Sequence, residues 1–208
     1  MKKRLLILSV FILAIAGMIQ VWYVHIHFRF EEISPNKVYK SGLIDPDKLE
    51  SFLIPNKIKT VINLLDPGVK DRLNPGQMAH IDKENSAIEL INEKHGTDIR
   101  HVNIPSGQVP SRETLTKFFE VLDDKLSYPV LIHCYHGTGR AVIYSALYRI
   151  EYENWKSEDA RMQTRALGIL VESPFYRSSF AQGKSKGDFL INYTARIEGN
   201  NSTFNQLK

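Results

Sequence analysis

Cys134 and Arg140 are separated by five residues, Tyr135, His136, Gly137, Thr138 and Gly139, and His133 stands directly before the cysteine. A short apolar run, Val130-Leu131-Ile132, leads into this stretch. Ala141-Val142-Ile143 follows it, and apolar residues continue at helix-like spacing through Tyr144, Leu147 and Ile150. Strand, tight loop and helix in that order aim a ring of backbone N–H groups at one small volume, and the helix N-terminus adds partial positive charge there. Such a loop suits an anion. Gly137 and Gly139 let the backbone approach it without a Cβ in the way. Arg140 can offer a planar fork to two phosphoryl oxygens. The same field favours a thiolate at Cys134, placed at the mouth of the loop. Together these residues describe a nucleophile facing a cradle for a tetrahedral dianion. The chemistry expected of them is phosphoryl transfer to Cys134, then hydrolysis of the cysteinyl phosphate. Arg140 and the loop amides supply the charge stabilisation, so the expected reaction calls for no metal and no cofactor.

The stretch resembles the His-Cys-(five residues)-Arg loop of the cysteine-dependent protein tyrosine and dual-specificity phosphatases. That resemblance implies Cys134 as nucleophile, Arg140 as phosphate clamp, and Tyr135, His136, Gly137, Thr138 and Gly139 as suppliers of the phosphate-binding amides. Val38-Tyr39-Lys40-Ser41-Gly42 and the Lys59 to Leu65 stretch resemble the opening segment of small atypical dual-specificity phosphatases, which include bacterial members and a compact plant and fungal group. His101-Val102-Asn103-Ile104-Pro105 is similar to the strand and loop that precede the phosphate loop in that group. The resemblance covers about residues 35 to 155. Two other readings touch the same residues. One is a buried Cys134 capping a strand of an unrelated α/β protein. The other is rhodanese-like sulfur transfer, against which a phosphate-sized loop ending in arginine argues.

The chain departs from the family pattern twice. Many relatives carry Ser or Thr after the arginine, where the hydroxyl stabilises the departing thiolate; here Ala141 stands there, which implies slower breakdown of the phosphocysteine or a hydroxyl from elsewhere. The loop after Ile104-Pro105 often carries an aspartate that protonates the leaving oxygen. This chain has Ser106-Gly107-Gln108-Val109-Pro110, and Asp66, Asp71 and Glu113 remain as candidate acids. The two aspartates also read as ordinary turn residues, and Glu113 as a first-turn residue of a helix capped by Ser111.

The scaffold around these residues reads as strands alternating with helices. His25 to Phe30 alternates at period two and reads as a strand, with His25 and His27 on one face, either solvated or metal-binding. Asp45-Pro46 opens a helix that Pro55 ends. Lys59 to Leu65 is a buried strand, and Asp66-Pro67-Gly68 turns the chain. A long helix follows Asn74-Pro75-Gly76 through about Glu93, with Ile81, Ile88, Leu90 and Ile91 as its apolar set and His95-Gly96 as its stop. Ile99 to Ile104 is the next strand. Ser111 caps a helix with Leu115, Phe118, Phe119, Leu122 and Leu126 as its core stripe. After the loop helix, Ser157-Glu158-Asp159 starts a helix running to Leu167-Gly168, with Arg161 and Arg165 on a solvated face or on an anionic substrate. Phe175 to Gly187 reads as a loop and Asp188 to Ile197 as a final helix. The fold class expected is α/β, a central and largely parallel sheet covered by helices on both faces, with the phosphate loop at the carboxyl end of the Val130 strand.

The N-terminus carries a separate message. Met1-Lys2-Lys3-Arg4 precedes Leu5 to Val24, twenty residues without a charge, about 30 Å as a helix and enough to cross the hydrocarbon core. Trp22 and Tyr23 close it where aromatic belts sit, and the basic tip stays in the cytoplasm. The reading is an uncleaved signal anchor, with a signal peptide cut near Ala14-Ile15-Ala16 as the alternative. The expected organisation is residues 1–24 as cytoplasmic tip and anchor, 25–197 as an extracytoplasmic catalytic domain (periplasmic in a Gram-negative cell), and 198–208 as a polar tail. Net charge is +4, of which Lys2, Lys3 and Arg4 supply three, so the basic balance reports topology and argues against nucleic-acid binding. A single cysteine excludes an internal disulfide framework.

The expected substrate is a phosphorylated protein or another phosphomonoester, since Tyr135, His136 and Thr138 place no lysine inside the loop. A lipid or small-molecule phosphate stays open, as does a phosphate-binding pseudophosphatase that serves as an interaction module.

Overall fold

The computed structural model describes residues 2–68, 72 and 75–196. Five short strands form one sheet: β1 (Glu31–Ser34), β2 (Val38–Ser41), β3 (Thr60–Asn63), β4 (Arg100–Asn103) and β5 (Val130–His133), in the order β1-β2-β5-β3-β4. Only the β1–β2 pair is antiparallel; β2–β5, β5–β3 and β3–β4 are parallel. The apolar runs of β3 and β5 follow from burial on both faces. Successive side chains point to opposite faces, so Val38, Ile62, Val130 and Ile132 join one core while Tyr39, Val61 and Leu131 join the other.

Helices complete each layer. The first core is closed by α4 (Arg112–Asp123), α5 (Arg140–Glu153), α6 (Ser157–Met162) and α7 (Ser185–Ile191), through Phe118, Phe119, Ile143, Leu147 and Leu190. The second is closed by α2 (Glu50–Leu53) and α3 (Met78–His95), through Leu53, Ile88 and Ile91. Ser111 caps α4 as its sequence predicts, with its side chain accepting from the Thr114 amide, and α3 stops at Gly96 in the left-handed conformation at φ 62°. α5 is buried nearly all round and forms the spine of the domain.

Several sequence expectations are corrected. α1 (Lys2–His25) runs on to His25, and residues 26–30 are a turn, not a strand. The His27 and Arg29 amides donate to the carbonyls of Trp22 and Tyr23, and the His27 ring stacks on Trp22. Its phenylalanines, Phe28 and Phe30, instead enter the second core. Leu90 and Leu126 are exposed, the first on the outer side of α3 and the second in a 3-10 turn beyond α4. The helix expected after Asp45-Pro46 shrinks to α2, α6 stops at Met162, and the last helix begins at Ser185. Arg161 is buried, not solvated: it pairs with Glu158 and Glu172 and donates to the Phe180 carbonyl at 2.8 Å. It thereby ties α6 to a segment whose Phe180 is fully buried.

Candidate active site

The carboxyl ends of β2, β5 and β3 converge on the Cys134 to Gly139 loop. Cys134 is buried at the start of the loop, 3% exposed. Gly137 has φ +68°, and a Cβ there would lie 2.5 Å from the Gly42 nitrogen. Both the backbone conformation and the close approach of β2 demand glycine. The segments before β1 and after β2 hold the loop backbone. The Leu43 amide donates to the Tyr135 carbonyl at 3.0 Å, and Arg29 Nη1 to the His136 carbonyl at 2.9 Å. The His136 ring meets Tyr135 edge-on, and Tyr135 meets His80 the same way.

Arg140 opens α5 and is 2% exposed. Its Nη1 donates to two backbone carbonyls, Leu64 at the end of β3 and Ser106 after β4, the latter at 2.8 Å. A guanidinium so held is preorganised; little side-chain freedom remains to be lost when an anion binds. Ser106 is itself fixed, its hydroxyl 2.8 Å from that of Tyr144 on α5. Ala141 is fully buried, and its carbonyl accepts from the Ser145 hydroxyl at 2.7 Å.

At the other side of the loop a Cβ on Gly139 would stand 2.7 Å from Lys186 Nζ. That ammonium comes from α7, is buried, and donates to Gln108 Oε1 at 2.7 Å. A cation thus reaches the loop from outside it. A cavity of about 640 Å³ borders Gly137 and Thr138 and carries Arg29, Lys40, Arg149 and Arg165. Burial pushes the Lys40 ammonium down, opposed by Glu31 at 2.9 Å, and burial likewise lowers Arg149. Another cavity, about 670 Å³, lies at the far ends of β3 and β4 beside Lys59 and Arg100, away from these residues.

The candidate acids fare differently. Asp66 accepts from the Gly68 amide at 3.0 Å, as a turn aspartate does. Asp71 lies outside the described residues. Glu113 is exposed in the first turn of α4, and Lys117, 2.7 Å away, holds its carboxyl below the usual range. Its side chain faces solvent and Lys117 on its own helix.

The family described as "DSP-PTPase phosphatase fused to NAD+ Kinase" matches residues 36–180, a span running from before β2 to Phe180 with the loop inside it. The chain belongs to this family. It is a cysteine-dependent phosphatase of the protein tyrosine and dual-specificity type. The fold is similar to the core catalytic domain of the PP-IP phosphatase SIW14 from S. cerevisiae at 18% identity and a TM-score of 0.55, over 86% of this chain and 93% of that one. It is similar to P. aeruginosa TpbA at 16% identity and a TM-score of 0.55, over 86% and 92%. No curated protein matches the chain.

Three residues around the loop are not singled out as site candidates by the sequence. Lys186 comes from a segment that reads as a loop. Ser41 is the cross-strand partner of His133, and its buried hydroxyl has no partner among the described residues. Glu84 is buried on α3 and hydrogen-bonded to His133 at 3.1 Å. Its signal is present in the spacing: Ile81, Glu84, Ile88 and Ile91 form one helical stripe, and a carboxylate in an apolar stripe calls for partners.

Proposed function

We propose that this phosphatase hydrolyses phosphomonoesters without a metal, through a cysteinyl phosphate on Cys134, with phosphorylated protein side chains as substrate. The observation that carries this reading is the juxtaposition of a buried Cys134 at the end of β5 with an Arg140 guanidinium clamped by the Leu64 and Ser106 carbonyls. The Cys134 thiolate attacks phosphorus while the bond to the leaving oxygen breaks, and that oxygen takes up a proton from solvent. Arg140 and the amides of Tyr135, His136, Gly137, Thr138 and Gly139 hold the three equatorial oxygens. Water then attacks phosphorus and gives up a proton to solvent, the S–P bond breaks, and the thiolate and phosphate separate. With Ala141 after the arginine, no hydroxyl at that position assists this second step.

The N-terminal helix anchors the domain. Leu6–His25 has a mean hydropathy of 2.2, and its apolar side chains are exposed, Leu13 at 70%, so it serves no core in this domain. A signal sequence shares these features. The basic tip favours an extracytoplasmic domain in this reading.

Lys186 beside Gly139 favours a second reading, a small molecule bearing several phosphates, the class to which the PP-IP substrate of SIW14 belongs. The deciding experiment is turnover by the full chain in detergent with chelator present. The substrates are p-nitrophenyl phosphate, a phosphotyrosine peptide and a polyphosphorylated inositol. Turnover of the peptide, abolished in Cys134→Ser, is expected. Preference for the inositol that disappears in Lys186→Met supports the second reading, and a chelator-sensitive activity that survives Cys134→Ser refutes both.

A further inference from the structure

Beneath the loop the sheet ends in a polar row. Ser41, His133, Asn63 and Asn103 are register partners across β2, β5, β3 and β4, so their side chains share one face. Glu84, 1% exposed, closes that row from α3. Its Oε2 accepts from Asn63 Nδ2 at 2.6 Å and stands 2.8 Å from His101 Nε2 and 3.1 Å from His133 Nε2. Packing alone gives no reason for a carboxylate in the stripe of Ile81, Ile88 and Ile91, where an apolar side chain would bury at no electrostatic cost. Burial pushes the Glu84 carboxyl up, yet the favourable electrostatics of the His133 ring, with the hydrogen bonds of His101 and His133, override it and hold the group well below the usual carboxylate range. An ionised carboxylate only accepts, so both rings carry their hydrogen on Nε2. His133 Nδ1 is then turned away from Glu84, buried and without a partner among the described residues.

The same network continues toward the arginine. Asn63 Oδ1 accepts from the Leu65 amide at 2.8 Å, and Asn103 Nδ2 donates to the Asn63 and Leu65 carbonyls at 3.0 and 3.1 Å. Between these two residues lies Leu64, whose carbonyl is one of the two acceptors of Arg140. One carboxylate therefore reaches Cys134 through the adjacent His133, and reaches Arg140 through the Asn63 to Leu65 turn.

We propose that Glu84 is a positioning residue of this phosphatase: it fixes the His133 hydrogen on Nε2 and holds together the strand ends that carry Cys134 and the carbonyl clamp of Arg140. The proposal rests on the roles assigned above to Cys134 and Arg140. Its test uses the full chain in detergent, labelled with ¹⁵N-histidine, beside Glu84→Gln and Glu84→Asp. The wild-type His133 ring, assigned by the signals lost in His133→Asn, is expected to show the long-range NMR pattern of an Nε2-protonated imidazole. Glu84→Gln, similar in shape but neutral, is expected to lose that pattern. It is also expected to lower kcat for p-nitrophenyl phosphate by about tenfold or more, with KM within about twofold, as slight misplacement of reacting groups does. Glu84→Asp restores the charge on a shorter arm and is expected to fall between the two. An Nδ1-protonated wild-type ring, or a Glu84→Gln protein with wild-type pattern and kcat, overturns the proposal. If Glu84→Gln does not fold, a Glu84→Asp protein whose His133 ring has lost the Nε2-protonated pattern while kcat stays at the wild-type value overturns it equally. A wild-type protein that binds vanadate but turns nothing over sinks the catalytic reading alone. Loss of the ring pattern and of vanadate affinity in Glu84→Gln would still support the positioning role.

Discussion

The two halves of the candidate site are built on opposite plans. The half formed by β5, the loop and α5 is contiguous in sequence, buried, and held at several points: Gly137 against Gly42, Arg140 between two carbonyls, His133 on Glu84. The half formed by the segment after β4 brings backbone and neutral side chains to the same place. Ser106 contributes a carbonyl to Arg140 and Gln108 an amide oxygen to Lys186, and residues 105–110 contain no carboxylate. Binding and nucleophilic attack need several groups fixed within fractions of an ångström, which a short continuous stretch on rigid elements provides. Proton delivery needs one group within reach, and that group can come from anywhere the chain passes.

The largest effects are expected in the first half. Cys134→Ser should lower kcat by at least ~10⁴-fold while vanadate or phosphate still binds, and Arg140→Lys, which keeps charge but loses the fork, by roughly 10²–10³-fold. Steady-state kinetics with calorimetric titration of the anion checks both. Gly137→Ala places a Cβ 2.5 Å from the Gly42 nitrogen at positive φ. It should cost about 1–3 kcal/mol or more of stability and most of the anion affinity, read as thermal midpoint and vanadate titration. Ala141→Ser restores a hydroxyl beside the arginine and should speed breakdown of the phosphocysteine by about tenfold. Acid-quench trapping would then find less intermediate at steady state.

Glu84 gives a pH signature. Its carboxyl lies below the ordinary value of 4.5 in the folded protein, so its contribution to stability is complete above that pH and is lost as pH falls below it. Urea unfolding of the wild type should weaken between pH 5 and pH 3 more steeply than that of Glu84→Gln. The smallest effect belongs to Glu113→Gln, which should leave kcat within about twofold across pH 5 to 8, because the side chain faces solvent and Lys117. A lost acid limb in that variant would return Glu113 to the second half of the site.

Much of the frame follows from local pattern. The apolar runs of Lys59 to Leu65 and Val130 to Ile132 mark strands buried on both faces, and Ser111 and Gly96 mark helix ends because capping is a local interaction. What local pattern does not reveal depends on partners distant in the chain. His25 to Phe30 alternates like a strand, but the amides of His27 and Arg29 bond back to α1, and the buried phenylalanines serve a turn. Arg161 looks solvated beside Arg165 until Glu172 and the Phe180 carbonyl arrive from the following segment. At the site itself, the loop residues come from one short stretch. Glu84 and Lys186 join them from α3 and α7, brought there only by the packing of both sheet faces.

The turn at residues 26–30 joins α1 to the domain with no linker to spare. Arg29, four residues beyond the helix end, donates to the His136 carbonyl, and the Phe28 carbonyl accepts from Gly42 at 2.7 Å. Were α1 in a bilayer, as proposed above, the phosphate loop would be held near the lipid surface on a leash a few residues long. Such an enzyme searches a thin layer rather than a volume. Its encounter rate is then set by how many phosphorylated groups are presented in that layer, and only weakly by their bulk concentration. Lengthening the turn would change which substrates it meets before it changed how any of them reacts.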